Sequence, residues 1–325
     1  MIYGANGYSG TLLARLAAEH GERPVLAGRS ASSVTRLAES LLLEHRIGDP
    51  GSISLDGIDT VANCAGPFAA TAAPLVAACL SSGTAYLDIT GELDVLGWML
   101  AQDAAARVAG VTMITGAGFD VVPTDCLAAL LAAALPGAVA LEIAFLAPGG
   151  LSHGTARTAL GELGTGALRC VGGELVPAPG VSRRVPFPSG VRTVTATRWG
   201  DLVTARHSTG IPDITVYMPA VPGLGVLRFG PLRRLVRALL PAGGPSAARR
   251  AANGCEVWAE VRDVAGTTRA ATLTGPNAYA LTAAATLGAL QRVRAGGVPP
   301  GVHTPSTALG GDFVRSLDGV EVRLL

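Results

Sequence analysis

The sequence predicts an α/β protein: a Rossmann-type parallel-sheet domain interrupted by an inserted α+β second domain. Three observations point to it. Over the first 118 residues short apolar runs alternate with helical stretches, the pattern of successive β-α-β units. A glycine-rich turn, Gly4-Ala5-Asn6-Gly7-Tyr8-Ser9-Gly10, lies between the first strand and the first helix. From about Phe119 the texture changes, and the Val-, Thr- and Arg-rich stretch from Arg183 to Tyr217 reads as antiparallel strands. With 325 residues, 49% hydrophobic and 15% charged, the chain has material for two cores and is not of disordered composition.

In the first domain the strands read Met1–Tyr3, Pro24–Ala27, Thr60–Asn63, Ala85–Asp88 and Val111–Thr115. Helices fall near Ser9–Glu19, Ser32–Leu42, Ala72–Ser82 and Leu93–Ala109. The opening strand has three residues before its turn, against about five or six in an ordinary strand. It is therefore expected to extend upstream of Met1. A helix at Pro123–Leu135 leads into a strand at Val139–Leu146 and a helical stretch from Thr155 to Arg169. Two further strands read Val257–Val261 and Thr268–Leu273, and a last helix, Tyr279–Arg294, is expected to return to the first domain. The predicted domains are 1–118 with about 275–325, and 119–274.

Composition removes several function classes. A formal net charge of +1 gives no bulk attraction for nucleic acid. All 25 basic residues are arginine, so no mechanism can use a lysine. The five cysteines are scattered and form no metal-ligand cluster, so no metal is expected and a reducing, cytoplasmic setting fits. A glycine-rich turn at Gly4 is not a signal peptide. The uncharged runs Thr60–Leu87, Cys126–Leu141 and Ala270–Gln291 are each broken by Gly-Pro or Pro-Gly pairs and qualify poorly as membrane spans.

The chemistry begins at the glycine turn. A pyrophosphate is approached closely only by backbone without a Cβ, and the helix that follows offers free N–H groups and the positive end of its dipole. Gly4, Asn6, Gly7, Tyr8, Ser9 and Gly10 are therefore candidate dinucleotide-binding residues. About twenty residues on, the second strand ends in Gly28-Arg29-Ser30, where an NAD site ordinarily places an acid for the ribose 2′-hydroxyl. Arg29 and Ser30 instead offer a cation and a hydroxyl suited to a 2′-phosphate, which predicts NADP(H).

Three more segments carry a family signature: Asn63-Cys64-Ala65-Gly66-Pro67-Phe68, Ala85-Tyr86-Leu87-Asp88-Ile89-Thr90-Gly91-Glu92, and Gly116-Ala117-Gly118-Phe119-Asp120-Val121-Val122-Pro123-Thr124-Asp125. With the glycine turn and Gly28-Arg29-Ser30, the chain resembles the saccharopine dehydrogenase-like oxidoreductases, in particular the branch containing the mycobacterial trans-acting enoyl reductases. Ser152-His153-Gly154-Thr155 and Thr304-Pro305-Ser306-Thr307-Ala308 also resemble that branch. The resemblance implies a nicotinamide-dependent reductase with a split Rossmann domain. It also implies that Cys64, Ala65, Gly66 and Pro67 lie near the nicotinamide and its ribose. Asp120 and Asp125 resemble two acidic positions of a Gly-Leu-Asp-Pro-Gly-Ile-Asp segment. Here Phe119 and Val121-Val122-Pro123-Thr124 depart from it, so saccharopine as substrate does not carry over.

The candidate catalytic residues are Asp120, Asp125 and His153, and no residue stands out as proton donor. Asp125 equally suits the first turn of a helix, Ser152 suits a helix cap, Glu92 suits a helix start, and Tyr86 suits the core. The expected activity is hydride transfer from NADPH to a C=C or C=N bond of an acyl, lipid-like or imine substrate. A short-chain dehydrogenase is excluded because its Tyr-x-x-x-Lys pair needs a lysine. A reductase using Cys126 as nucleophile is a distant alternative, since Asp125 beside it raises the thiol pKa. A non-catalytic NADP-binding protein at a lipid surface is the other. Its basis is Leu227–Leu240, where Leu232, Leu235, Val236 and Leu239 recur at helical spacing beside Arg233, Arg234 and Arg237. The same stretch suits packing on the second domain, a homodimer contact, or the rim of an entrance for a lipid-like substrate.

Overall fold

In the central strands of the amino-terminal sheet, successive side chains are buried on opposite faces, as a parallel sheet covered on both sides requires, while the edge strand His45–Ile47 is largely exposed. Tyr3, Ala27, Val61, Tyr86 and Met113 belong to one core layer; Ile2, Leu26 and Ala62 belong to the other. The computed structural model describes residues 1–162, 165–219 and 243–325. It divides into two units: Met1–Val122 with Tyr279–Gly310, and Pro123–Ala278 with Gly311–Leu325.

The first unit runs β1 (Ile2–Tyr3), α1 (Tyr8–Glu19), β2 (Leu26–Gly28), α2 (Ala31–Leu41), β3 (His45–Ile47), β4 (Thr60–Asn63), α3 (Phe68–Ser82), β5 (Ala85–Asp88), α4 (Leu93–Leu100), α5 (Asp103–Ala109) and β6 (Thr112–Ile114). Its seven strands lie in the order β3-β2-β1-β4-β5-β6 followed by β15 (Gly301–His303), and every pairing is parallel. This is the Rossmann order, and the winding reverses between β1 and β4. The helix Ala278–Arg294 covers one face: Leu287 joins the core layer of α1, and Thr286 Oγ1 donates to the Ala117 carbonyl at 3.0 Å.

The second unit contains α6 (Val122–Ala134), β7 (Ala138–Leu146), α7 (His153–Glu162), β8 (Leu168–Val171), β9 (Glu174–Pro177), β10 (Ser182–Phe187), β11 (Gly190–Ala196), α8 (Asp201–Thr209), β12 (Asp213–Pro219), α9 (Ala247–Ala251), β13 (Cys255–Asp263) and β14 (Thr268–Gly275). The helix Ala278–Arg294 is α10 and Pro305–Leu309 is α11; β16 is Glu321–Leu324. The described residues form a nine-stranded mixed sheet with the central order β10-β11-β12-β7-β13-β14-β16, in which β7 and β12 are parallel. Arg183 of β10 lies 4.6 Å from the Trp258 ring centre and pairs with Glu142 and Glu260.

The structure departs from the predicted elements in several places. Leu93–Ala109 is two helices, broken at Ala101-Gln102 without glycine or proline. The helical stretch after Ser152 ends at Glu162, and β8 begins by Leu168. The region read as strands from Arg183 to Tyr217 includes α8. Residues 311–325, grouped by sequence with the first domain, add β16 to β14 of the second unit. The amphipathic stretch Leu227–Leu240 lies outside the described residues. Among the described residues no helix is long and apolar enough to cross a membrane.

Candidate dinucleotide site

The winding reversal places the turns after β1 and β4 side by side, and contact distances show how tightly they meet. Gly4 has φ +78°, and a Cβ there would lie 2.8 Å from the Ala65 Cβ and 2.8 Å from its amide nitrogen. A Cβ on Gly10 would collide with the Gly4 carbonyl oxygen and approach the Ala5 Cα to 2.9 Å. These two glycines therefore let the turn, the first helix and the β4 loop pack against one another. Gly7 is less crowded than these two. A Cβ there would point at the turn's own backbone, 3.1 Å from the Gly4 oxygen and 3.9 Å from the Cys64 oxygen. The Gly7 amide donates to the Gly4 carbonyl at 2.9 Å, closing the turn.

The helix starts around this edge are not equivalent. α1 begins at Gly7 with no side-chain cap and no acid in its first turn. Tyr8 and Ser9 are half-buried there and Asn6 is exposed, its Oδ1 3.1 Å from where a Gly28 Cβ would be. Tyr8 is further held by a ring contact with Tyr279, at 4.9 Å between centres. α2 begins at Ser30, again with no side-chain cap and no acid in its first turn; Ser30 Oγ donates instead to Ser33 Oγ at 3.1 Å. Arg29 and Ser30 are exposed, and Arg29 makes no ion pair or side-chain hydrogen bond among the described residues.

On the other side of the reversal, side chains satisfy the backbone. Asn63 is fully buried: its Nδ2 donates to Thr71 Oγ1 at 3.2 Å and Tyr86 Oη at 3.1 Å, and its Oδ1 accepts from the Ala65 amide at 3.0 Å. Asp88, also fully buried, accepts at Oδ1 from the Thr90 amide (3.1 Å), Thr115 Oγ1 (3.1 Å) and the Gly116 amide (2.9 Å). Burial pushes its carboxyl up to about 6 despite these donors, and pushes the Tyr86 hydroxyl well above its ordinary range. Cys64, on the turn itself, is pushed up to about 12 by burial and then by Asp88. Gly66 and Pro67 are exposed and joined by a cis peptide bond.

Glu92 has a role that the sequence does not disclose. It begins α4, yet its carboxylate accepts from the amides of Phe68 (2.9 Å) and Ala69 (3.0 Å), the first two residues of α3. Asp120, half-buried, lies over the same loop: a Cβ on Gly91 would come within 2.7 Å of the Asp120 Cβ and 2.8 Å of Oδ2. Burial pushes the Asp120 carboxyl up to about 6.

The other two predicted catalytic residues are in the second unit. Asp125 is fully buried and its Oδ1 accepts from Ser208 Oγ at 2.6 Å, joining α6 to α8. Its neighbour Thr124 donates to Asp201 at 2.6 Å in the same helix pair. His153 opens α7, its amide donating to the Gly243 carbonyl at 2.8 Å, while Ser152 Oγ accepts from the Thr155 amide at 3.2 Å as a cap. Cys126 is fully buried, and burial and then Asp125 hold its thiol well above the ordinary range, which is the opposite of a nucleophile's environment.

No family model matches the chain. In sequence it is similar to the saccharopine dehydrogenase-like oxidoreductase of Bos taurus, 28% identical over 154 residues, 38% of this chain and 35% of the relative. It is also similar to the trans-acting enoyl reductase of Mycobacterium leprae, 33% identical over 143 residues, 38% of this chain and 33% of the relative. The matched segment thus spans about a third of the length of these relatives. Among solved structures, the apo saccharopine dehydrogenase (L-Glu forming) of Saccharomyces cerevisiae superimposes with TM-score 0.65 at 13% identity, covering 100% of this chain and 99% of that one. The homospermidine synthase of Legionella pneumophila, solved in complex with NAD, gives 0.67 at 12% identity, covering 100% and 90%. The chain therefore shares the fold of saccharopine dehydrogenase and is similar in sequence to saccharopine dehydrogenase-like oxidoreductases and mycobacterial trans-acting enoyl reductases.

Proposed function

We propose that the chain is an NADP(H)-dependent reductase acting on a C=C or C=N bond. The observation that supports it most is the pair of uncapped, acid-free helix starts at α1 and α2, the first of them reached through Gly4 and Gly10, whose Cβ positions are taken by neighbouring backbone. In this reading the α1 amides receive the pyrophosphate. Arg29, Ser30 and the α2 start receive the 2′-phosphate, where an acid would repel it. The fit is one of shape and charge: Gly4 and Gly10 leave backbone at the winding reversal, and Arg29 is exposed beside it.

Bound NADPH would supply hydride. The turn Cys64–Pro67 would carry the nicotinamide half, and Asp120, with its proton retained to about pH 6, would hold the proton for the reduced substrate. Asp125 takes no part in this reading, because Ser208 and burial commit it to the α6–α8 contact. The enoyl reductase names among the relatives favour an acyl or lipid-like substrate; the names of the fold neighbours favour an amine-derived one. NADPH consumption is measured against two panels, α,β-unsaturated thioesters and aldehyde–amine pairs. Turnover with either supports the proposal and selects the bond. NADPH binding without turnover in both panels supports the non-catalytic alternative.

A further inference from the structure

We infer that Glu92 is a positioning residue that sets the nicotinamide turn relative to Asp120, with Gly91 as the joint between them. The inference rests on the cofactor reading above and goes beyond it by naming what couples the two halves of the reacting site.

An ordinary helix cap comes from the residue just before the helix. α3 has Pro67 there, which supplies no side-chain acceptor. Its first two free amides are bound instead by a carboxylate 24 and 23 residues further along the chain. Such a contact is a tether between two loops. At its far end, the Glu92 amide donates to Thr90 Oγ1 (3.1 Å), and the Thr90 amide donates to Asp88 (3.1 Å), so Glu92 is anchored in the buried network. Asp88 also receives the Gly116 amide, and its carbonyl receives the Ala117 amide at 2.7 Å, so the loop bearing Asp120 hangs from the same anchor. Asp120 then folds back onto Gly91, where the 2.7 Å approach leaves no room for a Cβ. Displacing Gly91 moves Asp120; releasing Glu92 frees the Pro67–Phe68 junction at the start of α3. Both ends of the dipeptide are thus committed, one to the candidate acid and one to the cofactor turn.

Two probes separate positioning from general support: NADPH, and 2′-phospho-ADP-ribose, which lacks the nicotinamide. Glu92→Ala is expected to weaken NADPH about tenfold, the scale of one net hydrogen bond. It should leave the fragment within about twofold and return the fluorescence of bound NADPH toward that of free cofactor. Glu92→Gln, keeping one acceptor oxygen, should recover part of the loss. Gly91→Ala tests the other end: with no room for its Cβ it should lower the thermal midpoint and alter bound-NADPH fluorescence, while fragment affinity of the folded variant stays within about twofold. It carries the test if Glu92→Ala does not fold. Equal weakening of both probes in Glu92→Ala, or no change in NADPH affinity and emission in both variants, overturns the inference. If the unaltered protein binds neither probe, the cofactor reading fails and this inference fails with it.

Discussion

The two halves of the parallel sheet end in opposite ways at one edge. After β1 and β2 the chain turns on glycine, the helices start without side-chain caps, and the one strong charge is the exposed Arg29. After β4, β5 and β6 the loops are tied by Asn63, Asp88 and Glu92, and the amides of Ala65, Phe68, Ala69, Thr90 and Gly116 are satisfied by their side chains. Helix starts without side-chain caps and a cation suit a ligand anion, whereas amides held by side chains make rigid loops. On the proposed reading the contrast is a division of labour: the first half would hold phosphates, and the second would fix where reacting groups stand.

Breaking the first half gives the largest expected effect. Gly4→Val forces a β-branched residue to φ +78° and drives its Cβ into Ala65. NADPH affinity should fall more than about 100-fold, read by titration alongside the thermal midpoint to separate lost binding from unfolding. In the second half, Asp120→Asn should lower turnover about 100-fold or more while NADPH affinity stays within a few-fold. The parent's activity should decline as pH rises through about 6, where Asp120 loses its proton, and the variant should lack that limb. Full activity in Asp120→Asn would make the aspartate structural.

Asp88→Ala strands the Thr90 and Gly116 amides and the Thr115 hydroxyl, and should cost about 2–4 kcal/mol of unfolding free energy in denaturant titrations. The smaller companion effect is in pH. Because burial raises the Asp88 carboxyl from 3.8 to about 6, its contribution to stability is fully present below 3.8 and fades as pH rises through about 6. Asp88→Asn should flatten that part of the stability profile. An unchanged profile would mean that Asp88 does not titrate there.

What the sequence discloses follows from how local each interaction is. The glycine turn before α1, the Arg29-Ser30 start of α2 and the Ser152 cap are formed within a few residues, so their local geometry is readable along the chain. Glu92 was legible only as a helix start because its partners lie 24 and 23 positions away. Asp120 and Asp125 lie five residues apart after one strand, and the sequence already allows Asp125 the first turn of a helix. The structure sends one over Gly91 and the other to Ser208, 83 residues on, because Asp125 already lies within the first turn of α6. β3 and β15 escape the apolar pattern for a simpler reason: His45-Arg46-Ile47 and Gly301-Val302-His303 each hold a single aliphatic residue among polar residues or glycine.

The central claim is that the α1 and α2 starts receive the pyrophosphate and 2′-phosphate of NADP(H). Parallel titrations of the unaltered protein with NADPH and NADH test it most directly, with Arg29→Asp as the matched variant. The account predicts at least tenfold tighter binding of NADPH, about 1.4 kcal/mol, and a narrowed or inverted preference in the variant. Superimposable NADPH and NADH curves for the unaltered protein would contradict it.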